Sequence, residues 1–168
     1  MGTIVSAALL LVWLQWLDRP WACQSQSLCL WGNAPSENSE RLADAYSLLH
    51  LSFGILTFAA LKTLDRNRSW SAGGMCFLAF VSLLVWEAVE NVPAVIGLFD
   101  PPAGMASYNG DSILNAAGDV LFGLAGFLAA RRISRAASTA LVIGFDLATT
   151  MLVADGLVLG TLRLCGVI

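Results

Sequence analysis

The sequence predicts an all-α protein, a polytopic transmembrane helix bundle of about five spans with a cytoplasmic N-terminus. Composition is the first observation. Of 168 residues, 57% are hydrophobic and only 12% are charged, and the mean hydropathy is +0.72. A soluble domain carries about 25% charged residues. The second observation is five apolar segments, at 3–17, 45–61, 71–97, 110–130 and 137–164. A span needs ~17–25 residues. The third is the placement of Lys and Arg. Lys62, Arg66 and Arg68 fill one loop and Arg131, Arg132 and Arg135 another, six of the nine basic residues. Positive loops stay inside, so these loops are cytoplasmic and the C-terminus lies outside. The net charge of −3 and the dispersed basic residues exclude a nucleic-acid-binding surface.

The whole chain, 1–168, then reads as a single integral membrane domain of a bacterial inner membrane. Segment 1 ends at Asp18-Arg19-Pro20. It lacks the basic start and small-residue cleavage site of a signal peptide and reads as a retained helix. Residues 18–44 form a periplasmic loop between helices 1 and 2, where Trp21 and Trp31 suit the interface and Ser36 or Asn38 could cap a short helix. Cys23 and Cys29 share this loop, where an oxidising compartment would permit a disulfide; two free thiols are the alternative. Cys76 and Cys165 read as packing residues. The long segments 3 and 5 suggest tilted or interfacial extensions. Asp100-Pro101-Pro102 halts helix 3, and Asn109-Gly110 turns the chain into helix 4. Helix 4 is rich in small residues, including Gly126 and Ala130 four apart, which permits close helix approach.

Polar residues inside these segments are the candidate site. They are His50, Glu87, Glu90, Asn91, Asp111, Asn115 and Asp119, with Asp44 at the start of helix 2 and Asp146 in helix 5. Such groups are costly in a bilayer and face a bundle interior or a partner. Asp111, Asn115 and Asp119 are spaced i, i+4, i+8, one face of one helix. At ~1.5 Å per residue, His50 sits roughly 9 Å in, and Asp119 and Asp146 reach mid-membrane. Helices 2, 3 and 4 thus converge their polar groups in the outer half of the bilayer.

Three chemistries fit this set. His50, Glu87 and Asp119, with Glu90 as a further donor, could bind a divalent metal. His50 could act as a base beside Glu87, Glu90, Asp111 and Asp119 in metal-free catalysis. Or all of them form a structural network, worth ~0.6 kcal/mol per interhelical bond. A pigment or haem would also find a ligand in His50, although no motif requires a cofactor. Ser47, Ser52 and Ser112 lack a nucleophile elbow and read as backbone partners.

At these residues the chain resembles a bacterial inner-membrane family known only as a domain of unknown function. The resemblance is carried by Ser36-Glu37-Asn38-Ser39-Glu40, Asp44-x-Tyr46 leading to His50, Trp86-Glu87-x-x-Glu90-Asn91-x-Pro93 and Tyr108-x-Gly110-Asp111-Ser112-Ile113-Leu114-Asn115. Asp119, Gly126-Phe127-Leu128 and Ala130-Arg131-Arg132 complete it. It implies the topology above and no known activity. More loosely, Asp111-xxx-Asn115-xx-Gly118 is similar to VanZ-like membrane proteins. The family resemblance implies a second His where this chain has Phe53, and polar residues at Ala154, Gly156 and Gly160. A site thinned in this way suits an accessory subunit of a larger membrane complex, with lipids and other membrane subunits as partners. The alternative is an outward-facing, metal-assisted hydrolase or transferase acting on a lipid or lipid-linked substrate. A transporter is the weakest reading, since no inverted repeat is visible.

Overall fold

The computed structural model describes residues 1–23, 29–32, 34, 37–67, 69–99 and 108–167. Its helices are α1 (Gly2–Trp16), α2 (Ser47–Leu64), α3 (Ala72–Glu90), α4 (Pro93–Ile96), α5 (Ile113–Ala130), α6 (Arg135–Val153) and α7 (Leu157–Leu164). Among the described residues the only β-type pairing is an isolated bridge between Trp31 and Ala43. Helices α2, α3, α5 and α6 are long and apolar enough to cross a membrane. The 15 residues of α1 extend about 22 Å, less than the ~30 Å hydrocarbon core. The predicted helical membrane bundle is therefore present, with four long spans and a shorter first helix.

Contacts set the helix directions. Gly2 lies against Phe77 and Trp13 Nε1 donates to the Ala88 carbonyl at 2.9 Å, so α1 runs parallel to α3. Helices α2 and α5 are also parallel, and glycine brings them together. A Cβ on Gly54 would strike the Gly123 carbonyl, and one on Gly126 would strike that of Leu51. Thr149 of α6 donates to the Ala45 carbonyl at 3.3 Å. Beneath these contacts Met75, Ala79 and Phe127 form one apolar cluster and Leu83, Leu84 and Val120 another. The arrangement gathers Lys62, Arg66, Arg131, Arg132 and Arg135 at one end of the bundle and Asp44, Asp111 and Asp155 at the other.

Two long segments are broken rather than tilted. α3 stops at Glu90, and Val92 is extended, as the residue before a proline must be; Pro93 then starts the separate α4. Segment 5 ends at Val153 because Ala154 turns left-handed (φ 54°). α7 then folds back, with Leu157 N–H donating to Asp146 Oδ1 at 2.5 Å. Residues 37–40 form a turn instead of a capped helix. The readings placed on Ser36, Arg68, Asp100-Pro101-Pro102 and the loop near Gly104 fall outside the described residues. The sulfurs of Cys23 and Cys29 lie at bonding distance, with their Cα atoms 5.9 Å apart. Cys76 is half-buried and Cys165 exposed.

The α2/α5 contact leaves no room for a side chain. Gly126→Val should destabilise the detergent-solubilised protein by about 1–3 kcal/mol, as overpacking does. Gly144→Val, whose Cβ meets nothing within 4 Å, should leave the thermal unfolding midpoint unchanged. Equal midpoints for both variants would contradict the packing described.

Candidate functional site

The polar residues form two layers at the acidic end of the bundle. The outer layer begins where α1 ends. Asp18 adopts a left-handed conformation (φ 56°), and Arg19 N–H bonds back to the Leu14 carbonyl at 3.0 Å, a Schellman-type stop. The turn aims the Arg19 guanidinium at the carbonyls of Asn109 and Asn91. Gly110 (φ 87°) makes space, because a Cβ there would meet that guanidinium. The next residues, Pro20 and Trp21, offer carbonyls to the amides of Ile113 and Leu114 at 2.8 and 3.0 Å. Ser112 Oγ accepts from Asn115 N–H and donates to the Glu40 carbonyl. The first amides of α5 are thus partnered before the helix enters lipid.

Asn91 and Asp111 close this layer reciprocally. Asn91 Nδ2 donates to Asp111 Oδ2 at 2.9 Å, and Asp111 N–H donates to Asn91 Oδ1 at 2.8 Å. Tyr108 donates to the same carboxylate at 3.0 Å. Burial pushes the Asp111 carboxyl up, while hydrogen bonds from Ser39, Asn91 and Tyr108 pull it down. Burial and the neighbouring Asp111 raise the Tyr108 hydroxyl far above its usual range, which keeps it a donor. Asn115 Nδ2 donates to the Arg41 carbonyl at 2.7 Å. Asp44 accepts from the amides of Ser39 and Tyr46 at 2.6 and 2.8 Å; burial raises its carboxyl and these bonds oppose the rise.

The inner layer is built differently. His50 sits one turn into α2. Its Nδ1 faces Glu87 Oε1 at 3.5 Å, and its Nε2 faces Asp119 Oδ2 at 3.6 Å. These separations exceed a good hydrogen bond. Glu87 is 0% exposed, Asp119 3% and His50 7%. His50 Nδ1, both oxygens of Glu87, Glu90 Oε2 and Asp119 Oδ1 are buried without a hydrogen-bond partner among the described residues. Trp86 donates to Glu90, and Phe53 packs on Trp86 with ring centroids 5.8 Å apart. Ser47 reaches Asp119 with its hydroxyl while accepting from Asp44 N–H.

The site thus joins His50, Glu87, Glu90 and Asp119, and stacks Asp44, Asn91, Asp111 and Asn115 above them. Asp111 does not share a helical face with Asn115 and Asp119, because α5 begins only at Ile113 and Ser112 is its cap. The later helix starts also make the cluster shallower. His50 lies about 5 Å and Asp119 about 9 Å below the first residues of their helices. Asp146 stands apart, engaged at the start of α7; Asp155 pairs with Arg163 at 2.7 Å. Gly156 lies against Asp146 and Thr150, and Gly160 against Phe99, so these positions border the α6–α7 turn and not the His50 cluster. Both His50 nitrogens face carboxylates. One ligand atom each from His50, Glu87 and Glu90 lie within 4.8 Å of one another, a spacing a single metal ion could span.

Residues 14–168 match the family described as a protein of unknown function, DUF2585. The chain is a member of that family. A UPF0314 protein of Paracoccus denitrificans is 36% identical over 97% of this chain and 84% of its own length. One from Rhizobium meliloti is 37% identical over 88% and 75% respectively, and one from Sphingopyxis alaskensis is 34% identical over 97% and 88%. No solved structure matches. The matches give no support to the likeness to VanZ-like proteins.

Several contributors to this DUF2585 site were not apparent from sequence. Arg19 read only as a helix stop, and Trp86 only as part of the Trp86-Glu87-x-x-Glu90-Asn91 motif. Ser39, left-handed at φ 65°, serves Asp44 through its amide, Ser112 through its carbonyl and Asp111 through its side chain; its place in the Ser36–Glu40 run was the only signal. Asn91→Leu should cost about 1–3 kcal/mol for each buried polar group it leaves unpaired, with Asp111 the first of them. Thermal unfolding in detergent checks this, and a midpoint equal to wild type would contradict the clamp.

Proposed function

We propose that this DUF2585 protein is an outward-facing intramembrane hydrolase or transferase acting on a lipid or lipid-linked substrate, with His50, Glu87, Glu90 and Asp119 as its working residues. One observation carries the reading. The carboxylates and side-chain amides of the outer layer are hydrogen-bonded, whereas five buried atoms of His50, Glu87, Glu90 and Asp119 have no hydrogen-bond partner among the described residues. A network kept only to glue helices gains from saturation; one kept for chemistry leaves donors and acceptors free for a reacting group. The depth of the cluster suits a substrate with a polar head and apolar tails. The Lys and Arg bias supports a bacterial inner membrane with this end toward the periplasm.

A second reading, the accessory subunit, is favoured by α6, where only Thr149 is buried and Leu141, Ile143, Leu147, Met151 and Leu152 are exposed. That face meets lipid or a partner subunit. Native mass spectrometry of protein extracted in mild detergent distinguishes them, since a subunit retains its partners.

The enzyme reading predicts a change in lipid composition. Membrane extracts from a strain lacking the gene should accumulate one lipid species. The wild-type chain should reverse this, and His50→Ala should not although it inserts normally. Identical lipid profiles in all three strains would overturn the reading.

A further inference from the structure

We propose that His50 Nδ1, Glu87 and Glu90 bind one divalent transition-metal ion of the zinc or manganese class, with Asp119 positioning the histidine from its opposite nitrogen. The inference deepens the reading above and rests on its choice of the inner layer as the working site.

The first argument is geometric. Two ligands on one tetrahedral ion, each about 2.0–2.1 Å from it, stand about 3.4 Å apart. His50 Nδ1 and Glu87 Oε1 are 3.5 Å apart, long for a hydrogen bond and suitable for a shared ion. Glu90 falls within the same 4.8 Å envelope. It projects from the same helix as Glu87, three residues on, the offset that puts two side chains on one face.

Charge supplies the second argument. Two carboxylates and a neutral imidazole carry −2, which a divalent cation balances. Buried charges are otherwise tolerated only when paired or metal-bound, and among the described residues no Lys or Arg is paired with Glu87 or Glu90. Four of the inner layer's five buried atoms without hydrogen bonds, His50 Nδ1, both Glu87 oxygens and Glu90 Oε2, are the atoms this site would use.

The third argument is division of labour. Asp119 faces Nε2, 3.6 Å away, so it and Glu87 lie at opposite ends of the ring and do not share one ion with His50. A carboxylate behind a metal-binding histidine sets its tautomer and orientation. Here it places the proton on Nε2 and leaves the Nδ1 lone pair toward Glu87. Ser47 supports Asp119, and Trp86, backed by Phe53, supports Glu90. Phe53, where the family resemblance implied a second histidine, thus buttresses a ligand.

The test is metal analysis of the full-length protein purified in detergent without chelator, then exposed to Zn²⁺ or Mn²⁺ and desalted. Wild type should hold about one ion per chain. Glu87→Gln and Glu90→Gln should each lower occupancy at least tenfold, while Gly144→Ala retains it. Asp119→Asn should bind about 10–100-fold more weakly. Because Glu87→Gln could fail to fold, Co²⁺ added to wild type provides a second readout: visible absorption bands of low-symmetry cobalt, abolished by competing Zn²⁺. Occupancy below one tenth with no cobalt bands would overturn the metal site. So would equal occupancy in wild type and a folded Glu90→Gln. In either case a lipid change reversed by the wild-type chain and not by His50→Ala would still stand, separating failure of the metal from failure of the enzyme reading.

Discussion

The reciprocal hydrogen bonds between Asn91 and Asp111 are the constraint on which the rest of the site depends. A polar side chain at the outer edge of a membrane bundle must find a partner within the protein, because lipid offers none. Asn91 finds two, the Asp111 carboxylate and its amide, and in doing so it fixes the end of α3 to the residue before the cap of α5. Arg19 adds the end of α1 by binding the Asn91 carbonyl. With these helix ends tied, Glu87 is held one turn inward of Asn91 and opposite His50, with Glu90 beside them. Glycine packing between α2 and α5 brings Asp119 up to the other side of the ring.

The contrast between the layers gives the site its meaning. The outer layer, with Ser39, Asp44, Ser112, Asn115, Asn91 and Asp111, satisfies its groups locally and needs no further component. The inner layer has the same residue chemistry with fewer partners, Ser47 reaching Asp119 and Trp86 reaching Glu90 while His50 Nδ1 and both Glu87 oxygens have no hydrogen bond among the described residues. Burying groups in that condition is unfavourable, and a protein that keeps them gains something else from them. A cation between His50, Glu87 and Glu90 would partner the unbonded atoms of these three residues and balance the charge of the two glutamates. The apolar outer face of α6 is a separate feature, suited to lipid or to another subunit, and it places no demand on the cluster.

Much of this was legible in the sequence. Helices α2 and α5 lie close to their expected positions because their apolar runs are bounded by polar residues on both sides. The convergence of His50, Glu87 and Asp119 followed from residue depth and from the distribution of Lys and Arg. Breaks inside apolar runs were not legible. Val92-Pro93 and Ala154 interrupt hydrophobic stretches without lowering their hydropathy, so the runs 71–97 and 137–164 looked continuous. Asp111 appeared helical because its spacing to Asn115 and Asp119 is helical; Ser112 takes the cap and leaves Asp111 outside. The spacing rule says which residues would share a face if a helix contains them, and it is silent on where that helix begins. The role of Ser39 depends on a left-handed backbone that no local pattern announces, and that of Arg19 on a loop returning to it from 72 or more residues away.

The most direct test of a metal held by the inner layer is X-ray absorption at the metal edge of the loaded, detergent-purified protein. An ion held by His50, Glu87 and Glu90 gives a first shell of nitrogen and oxygen at about 2.0–2.2 Å, with the outer-shell scattering of one imidazole. A sulfur shell at about 2.3 Å, which would place the ion on Cys76 or Cys165, or a shell with no imidazole, would contradict it.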